Sequence, residues 1–135
     1  MKNGKILLII AGVVLLIASC KNVPEEIIGT WNFQTFDTQP QGVVTWTFKE
    51  DGQLIRIMTN NDGIHFDTCN YVIDKSMFKS QITISGSDPL TGYTSLDGIY
   101  RIDKFKDDIL IMTRERLSDD EVNGAYLRCE MQRKL

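Results

Sequence analysis

Short segments in which apolar and polar residues alternate recur about every dozen residues along most of the chain, with turn-forming residues between them. From this pattern we predict eight strands, over residues 31–36, 43–49, 54–59, 64–73, 80–85, 98–105, 109–114 and 125–133. No segment of helix length after residue 20 has convincing apolar spacing for a helix. The sequence therefore predicts an all-β domain.

The short connections between the predicted strands favour antiparallel neighbours. Half-buried antiparallel strands joined by short turns form a meander, and closing a meander into a barrel removes its exposed edges. The interior of an eight-stranded barrel is wide enough for side chains or for one small ligand. We therefore predict an eight-stranded antiparallel up-and-down barrel.

The first 19 residues differ in character from the predicted strands. Lys2 and Lys5 make a short basic start, and residues 6–17 form an apolar run interrupted only by Gly12. This run is too short to span roughly 30 Å of hydrocarbon as a helix, but its length is typical of a signal-peptide core. It leads into two small residues followed by a cysteine, Ala18-Ser19-Cys20.

This ending resembles the lipobox of bacterial lipoproteins, and the resemblance implies cleavage between Ser19 and Cys20 with lipid attached to the Cys20 thiol. Two or three acyl chains make a stable membrane anchor. We expect residues 1–19 to be a signal peptide, residues 20–28 to be a lipidated cysteine with a short tether, and residues 29–135 to form the barrel. An uncleaved transmembrane anchor is the alternative interpretation.

The resemblance also implies a location in the cell envelope. Lys21 follows the cysteine at the position where aspartate is associated with inner-membrane retention, so we expect the outer membrane. The sequence leaves open whether the domain faces the periplasm or the outside.

The part of the chain after the signal peptide is acidic. Two of the 15 basic residues and none of the 18 acidic residues lie in the signal peptide, which leaves a net charge of −5. An acidic domain without a basic run is a poor candidate for binding nucleic acid. We therefore expect no nucleic acid partner, and contact with the membrane through the lipid alone.

Gly29-Thr30-Trp31 opens the first predicted strand, and this Gly-x-Trp is similar to the one that begins the lipocalin barrel. Together with the lipobox, it makes the chain resemble the small lipocalin-like lipoproteins of Gram-negative bacteria, and it implies a lipocalin- or calycin-like barrel. The resemblance also implies that Trp31 closes the barrel floor and that a basic residue of the last strand packs across it. Arg133 has the inward parity for this cation–π contact, and Arg128 is the alternative.

Cys69 and Cys129 are left once Cys20 carries lipid. Two cysteines in an exported domain favour a disulfide, and lipocalins often join a middle strand to the C-terminal region in this way. In an ideal eight-stranded barrel, however, the fourth and eighth strands lie opposite each other, beyond the roughly 7 Å limit on Cα separation. The disulfide requires a flattened barrel or a bend, and two buried thiols are the alternative.

Patterns typical of catalysis or metal binding are missing from the sequence. His65, the single histidine, lies roughly 13 Å along a strand from Cys69, too far for a nucleophile–base pair. We expect His65 to be exposed, and the acidic runs 107–108 and 119–121 to be solvated, since neither follows an EF-hand pattern. We find no phosphate loop and no serine nucleophile motif. We therefore predict no enzyme, no cofactor and no metal.

Two functions fit these expectations. The resemblance implies a binding protein that holds a small apolar or amphipathic ligand, and the candidate lining residues are Trp46, Phe48, Tyr71 and Tyr100. The same large side chains can also fill a barrel, which favours an envelope interaction protein that docks through the loop 86–96 with Leu90 and Tyr93. A cavity of several hundred Å³ favours the first function, and a filled core with an exposed apolar loop favours the second.

Overall fold

The structure is a computed structural model of the chain, and it describes residues 26–34, 42–75, 80–88, 95–117 and 126–135. Within these ranges the chain forms eight strands: β1 (Gly29–Gln34), β2 (Val43–Phe48), β3 (Gln53–Asn60), β4 (Gly63–Lys75), β5 (Ser80–Ser85), β6 (Gly98–Lys106), β7 (Ile109–Arg116) and β8 (Leu127–Arg133). The predicted bounds differ from these by at most two residues. The predicted all-β class is confirmed.

Several sequence predictions concern residues outside these ranges. They are the signal peptide with Ser19, the lipid attachment site Cys20, most of the tether, the loop residues Leu90 and Tyr93, and the acidic run 119–121. No helix within the described ranges is long and apolar enough to cross a membrane.

The sheet closes on itself through a seam between the first and last strands. Each strand is antiparallel to its neighbours in sequence, and β1 also pairs with β8, where Trp31 lies opposite Arg133. Each of the described strands therefore has a partner on both sides, and none has an unpaired edge. The predicted eight-stranded up-and-down barrel is confirmed, and residues 29–133 form a self-contained folding unit.

Because neighbouring strands run in opposite directions, the connections fall into two groups. The closed end of the barrel contains the start of β1, the turn at residues 49–52, the turn at residues 107–108 and the end of β8. The mouth, at the opposite end, contains the turn at residues 61–62 and the described parts of the β5–β6 connection, residues 86–88 and 95–97.

Side chains alternate between the interior and the solvent along most strands, as expected for a barrel with a packed inside. In β8, Cys129 and Met131 are buried, whereas Arg128 and Gln132 are exposed. The same alternation in β2 buries Val44, Trp46 and Phe48. The inward side chains of all eight strands make up one hydrophobic core.

Strand β6 departs from strict alternation. Its pairing with β7 shifts in register between Ile102 and Lys104. An extra residue of this kind changes which side chains face the interior. Lys104 is exposed, and Phe105 turns inward so that its ring centroid lies 5.9 Å from that of Trp31. The irregularity thus supplies an aromatic side chain to the closed end.

The turn between β6 and β7 fastens the closed end to the last strand. Asp107 and Asp108 have positive φ angles of 54° and 60°, as in the two-residue hairpin turns whose twist matches that of the strands. The Asp108 carbonyl accepts a hydrogen bond from the Arg133 backbone N–H at 2.8 Å, and its carboxylate accepts one from Arg133 Nε at 3.0 Å.

Candidate ligand-binding site

Trp31 and Arg133 seal the closed end. Trp31 is fully buried, and its indole N–H donates to the Ile27 carbonyl at 2.8 Å. The Arg133 guanidinium carbon lies 4.3 Å from the centroid of the Trp31 ring, so the pair forms a cation–π contact. This is the arrangement expected from strand parity, with Arg133 rather than Arg128 across the tryptophan.

Further hydrogen bonds hold Arg133 in this position. Its guanidinium donates to the Ile28 carbonyl at 3.1 Å and also to the Glu26 carbonyl. A Cβ atom at Gly29 would lie only 3.0 Å from Arg133 Nη1, and Gly29 has a φ of +129°. A side chain at this position would therefore be strained and crowded. The structure thus brings together all three residues of the predicted floor motif.

Two clefts border the closed end. One, of about 190 Å³, is lined by residues of the β6–β7 turn together with Glu26, Trp31 and Arg133. The other is an open depression along Ile28–Gly29 and Thr47–Asp51. Of the candidate lining residues, only Phe48 borders either of these clefts. These two clefts are therefore not the interior site that the sequence suggested.

The four candidate lining residues are all buried, but they do not form one group. Trp46 packs with Phe48 at 6.4 Å between ring centroids, and Phe48 meets Tyr71 edge-to-face at 5.0 Å. The Tyr71 hydroxyl donates to the Lys49 carbonyl, close to the closed end. Tyr100 lies apart, and its hydroxyl donates to the Leu96 carbonyl at the mouth at 2.6 Å.

A row of directly paired inward residues crosses five strands, and we call it the diagonal row. It consists of Asp67 on β4, Arg56 on β3, Trp46 on β2, Trp31 on β1 and Arg133 on β8. Strands tilt in a barrel, so a row of hydrogen-bonded neighbours runs obliquely around the wall. The row connects the floor motif with charged residues near the mouth.

Arg56 and Asp67 form an ion pair inside the barrel. Arg56 Nη2 lies 2.7 Å from Asp67 Oδ2, and the two side chains are only 4% and 2% exposed. Arg56 Nη2 also donates to the Asp88 carbonyl at 2.9 Å, and the Asp88 N–H donates to Asp67 Oδ1 at 3.1 Å. The pair therefore fastens the β5–β6 connection to β3 and β4.

The sequence analysis missed this pair, although a signal was present. Arg56 has the inward parity of Leu54 and Met58, and a two-residue turn at Asn61-Asp62 places it opposite Asp67. Charged residues at two facing inward positions indicate a buried polar contact.

A second arginine lies on the opposite wall. Arg114 is 5% exposed and donates to the carbonyls of Ser95 and Asp97 at 2.7 and 3.1 Å. Burial acts to raise the pKa of Asp97, but hydrogen bonds from Ser87 and Gly86 and the charge of Arg114 hold that pKa below its usual value. The two arginines thus fix both described parts of the β5–β6 connection at the mouth.

Cys69 and Cys129 are free and buried, so the expected disulfide is wrong. The physical reason is the strand order, because β4 and β8 lie on opposite sides of the closed barrel. Burial raises the pKa of each thiol to about 12. Burial likewise raises the pKa of the Tyr100 phenol. These groups are protonated at neutral pH and are poor nucleophiles.

His65 is half-buried and not exposed as expected. It has the inward parity of Asp67 and Cys69 on β4 and lies opposite Met58, near the mouth. No group of three or more His, Cys, Asp or Glu side chains in the described part of the chain is arranged to hold a metal ion.

No protein-family model matches the chain, and no curated protein matches it significantly.

Proposed function

We propose that the chain is an envelope lipoprotein whose barrel binds one small amphipathic ligand through its mouth. The observation that carries this proposal is the contrast between the two ends of the barrel. Trp31 and Arg133 seal one end. The wall toward the other end combines aromatic side chains with buried polar groups from Arg56, Asp67 and Tyr100. A site of this composition suits a ligand that has both an apolar and a polar part.

The same proposal gives the domain an orientation. Strand β1 begins at the closed end, next to the described residues Glu26 and Ile27. A short tether from Cys20 therefore holds the closed end nearest the bilayer. The mouth then faces away from the membrane, where a ligand or a carrier of the ligand reaches it.

Ligand binding is tested with the soluble domain, residues 21–135, and the fluorescent apolar probe 1-aminoanthracene. We expect saturable binding of one probe per barrel. Val44→Phe, at an inward position near the mouth, should abolish this binding, whereas Val43→Phe on the exposed face of the same strand should not. Equal binding by both variants, with both folded by circular dichroism, would contradict an interior site.

The anchor is tested in bacterial cells with Cys20→Ser in the full chain. We expect the wild-type protein to carry labelled palmitate and to enter the detergent phase on Triton X-114 partitioning. The variant should carry no label and keep the higher mass of the uncleaved precursor. A wild-type protein that keeps its first 19 residues would contradict the lipoprotein proposal and support the transmembrane alternative.

An apolar patch on the outer wall favours a second candidate function, docking on another envelope protein. Val43, Ile64 and Phe66 are 63%, 60% and 67% exposed, and strand pairing brings Ile64 and Phe66 next to β3. Such exposed patches are typical of interaction surfaces.

Photo-crosslinking in intact cells tests this alternative. A crosslinker at position 66 should give one discrete adduct with a single envelope protein, and one at position 74, which is exposed on the same face of β4, should give none. No adduct at position 66 would exclude docking through this patch.

A further inference from the structure

Two neighbouring members of the diagonal row have nitrogen atoms that are buried but not hydrogen-bonded. Trp46 Nε1 and Arg56 Nε each have no partner among the described residues, although the two residues are only 1% and 3% exposed. Trp46 and Arg56 are directly opposite each other on β2 and β3, and both point inward. Directly opposite residues have Cβ atoms about 4.5–5.5 Å apart. Two free donors therefore lie side by side on one wall.

The acceptors nearest these donors are already used. Asp67 Oδ2 accepts from Arg56 Nη2, and Asp67 Oδ1 accepts from the Asp88 N–H. The Asp88 carbonyl is also taken by Arg56 Nη2. Buried donors are nearly always hydrogen-bonded in native proteins, because leaving one unpaired costs free energy. The pair of free donors thus points to a group that the chain itself does not supply.

We propose that Trp46 Nε1 and Arg56 Nε form a two-donor site for the carboxylate of the ligand, an inference that rests on the proposed binding function. An indole N–H and a guanidinium N–H can only donate, so the bound group must accept two hydrogen bonds. A carboxylate has two acceptor oxygens, and its charge strengthens hydrogen bonds to arginine.

The charges inside the barrel agree with an anionic group. Arg56 and Arg114 both act on the buried Cys129 thiol in the direction that lowers its pKa, against the larger effect of burial. The guanidinium charges of both walls therefore reach the middle of the barrel. An amine in the same place would meet these two cations, and an alcohol would bring a hydroxyl hydrogen that needs an acceptor of its own.

The apolar part of the ligand would lie toward the mouth. The next row of inward residues on the mouth side contains Val44 and Met58, which are paired across β2 and β3 and are 8% and 1% exposed. On the other side Phe33 stacks on Trp46 at 5.6 Å between ring centroids, which fixes the plane of the indole. The polar head is thus placed inside the barrel and the apolar tail nearer the mouth.

Isothermal titration of residues 21–135 with three eight-carbon probes tests the inference. The probes are octanoate, 1-octanol and octylamine, so that only the polar head changes. We expect octanoate to bind at least about tenfold more tightly than 1-octanol, and octylamine to show no binding.

Two conservative variants locate the head group. Trp46→Phe removes the indole N–H, and Arg56→Lys removes Nε but keeps a cation beside Asp67. Each should weaken octanoate binding about tenfold and change 1-octanol binding less than twofold. The control Arg128→Lys, at an exposed position on β8, should change neither. If Arg56→Lys does not fold, Trp46→Phe alone decides, since it leaves the Arg56–Asp67 pair intact.

The outcomes separate this inference from the function on which it rests. If octanoate and 1-octanol bind equally, or if the two variants bind octanoate like the wild type, the carboxylate site is overturned and the binding function stands. If neither these probes nor 1-aminoanthracene binds, the binding function fails, and the carboxylate site fails with it.

Discussion

Arg56 and Asp67 introduce charge into a barrel whose other buried side chains are mostly apolar. Removing two charges from water is costly, and their attraction repays this cost only when the remaining hydrogen-bonding groups are also satisfied. Asp67 meets this condition because both carboxylate oxygens accept hydrogen bonds. Arg56 meets it only in part, because its Nε is unpaired. The pair is therefore a likely place for function rather than for stability alone.

Asp67→Asn should be strongly destabilising, because it leaves the Arg56 charge buried without its partner. We expect a loss of about 3 kcal/mol in the free energy of unfolding, measured by urea denaturation. The control is Glu115→Gln, which breaks a surface ion pair with Arg101 and should cost less than about 1 kcal/mol. A similar small loss in both variants would mean that the interior pair is well hydrated.

The two buried thiols make the stability of the domain sensitive to alkaline pH. Burial raises the pKa of Cys69 and Cys129 from 9.0 to about 12, so the folded protein keeps protons that the unfolded chain releases. The free energy of unfolding is therefore undiminished by these thiols below pH 9 and falls as the pH rises from 9 toward 12.

We expect the urea midpoint of the wild type to fall between pH 8 and pH 10.5, the range in which the unfolded thiols ionise. The double variant Cys69→Ala, Cys129→Ala should lose less over the same interval. A residual loss is expected, because burial also raises the pKa of Tyr100. An equal loss in both proteins would show that the thiols are not responsible.

Among the structural elements, the seam between β1 and β8 carries the closure of the barrel. Its four residue pairs include Trp31 with Arg133, which combines backbone pairing with a cation–π contact. Arg133 also ties the seam to the β6–β7 turn through Asp108. One side chain thus connects three elements at the closed end.

Arg133→Met should weaken this seam, because it removes the cation and its hydrogen bonds but retains most of the aliphatic stem. We expect a loss of about 2 kcal/mol in the free energy of unfolding. Hydrogen exchange should increase first at the backbone amides of β1 and β8. Arg128→Met, on the exposed face of β8, should change stability by less than about 0.5 kcal/mol.

The strands could be predicted from the sequence because each one combines alternation with clear turn residues at its ends. Val44, Trp46 and Phe48 show this most plainly, since all three are apolar and all three are buried. The register shift in β6 could not be predicted, because it depends on the pairing of Ile102 and Lys104 with β7. It is this shift that turns Phe105 toward Trp31.

The floor motif and the cysteines mark the reach of the sequence for the site. Parity and strand direction were sufficient to place Arg133 across Trp31. The number of cysteines suggested a disulfide, but the distance across the barrel prevents it. The free donors of Trp46 and Arg56 could not be foreseen, because hydrogen bonding depends on side-chain positions that a pattern of residues does not contain.

At the scale of the whole molecule, the barrel has two unlike ends and one continuous wall between them. The diagonal row joins the ends, since it runs from Arg133 at the floor to Asp67 near the mouth. A lipid on Cys20 would attach the closed end to the membrane and leave the mouth free. This asymmetry is what the proposed function requires.

Native mass spectrometry of the domain, residues 21–135, secreted into a bacterial periplasm, tests the central claim of ligand binding most directly. We predict a population with one small-molecule adduct that is released on denaturation and is reduced in Val44→Phe but not in Val43→Phe. A protein that carries no adduct, and that takes up none when incubated with octanoate or 1-octanol, would contradict the account.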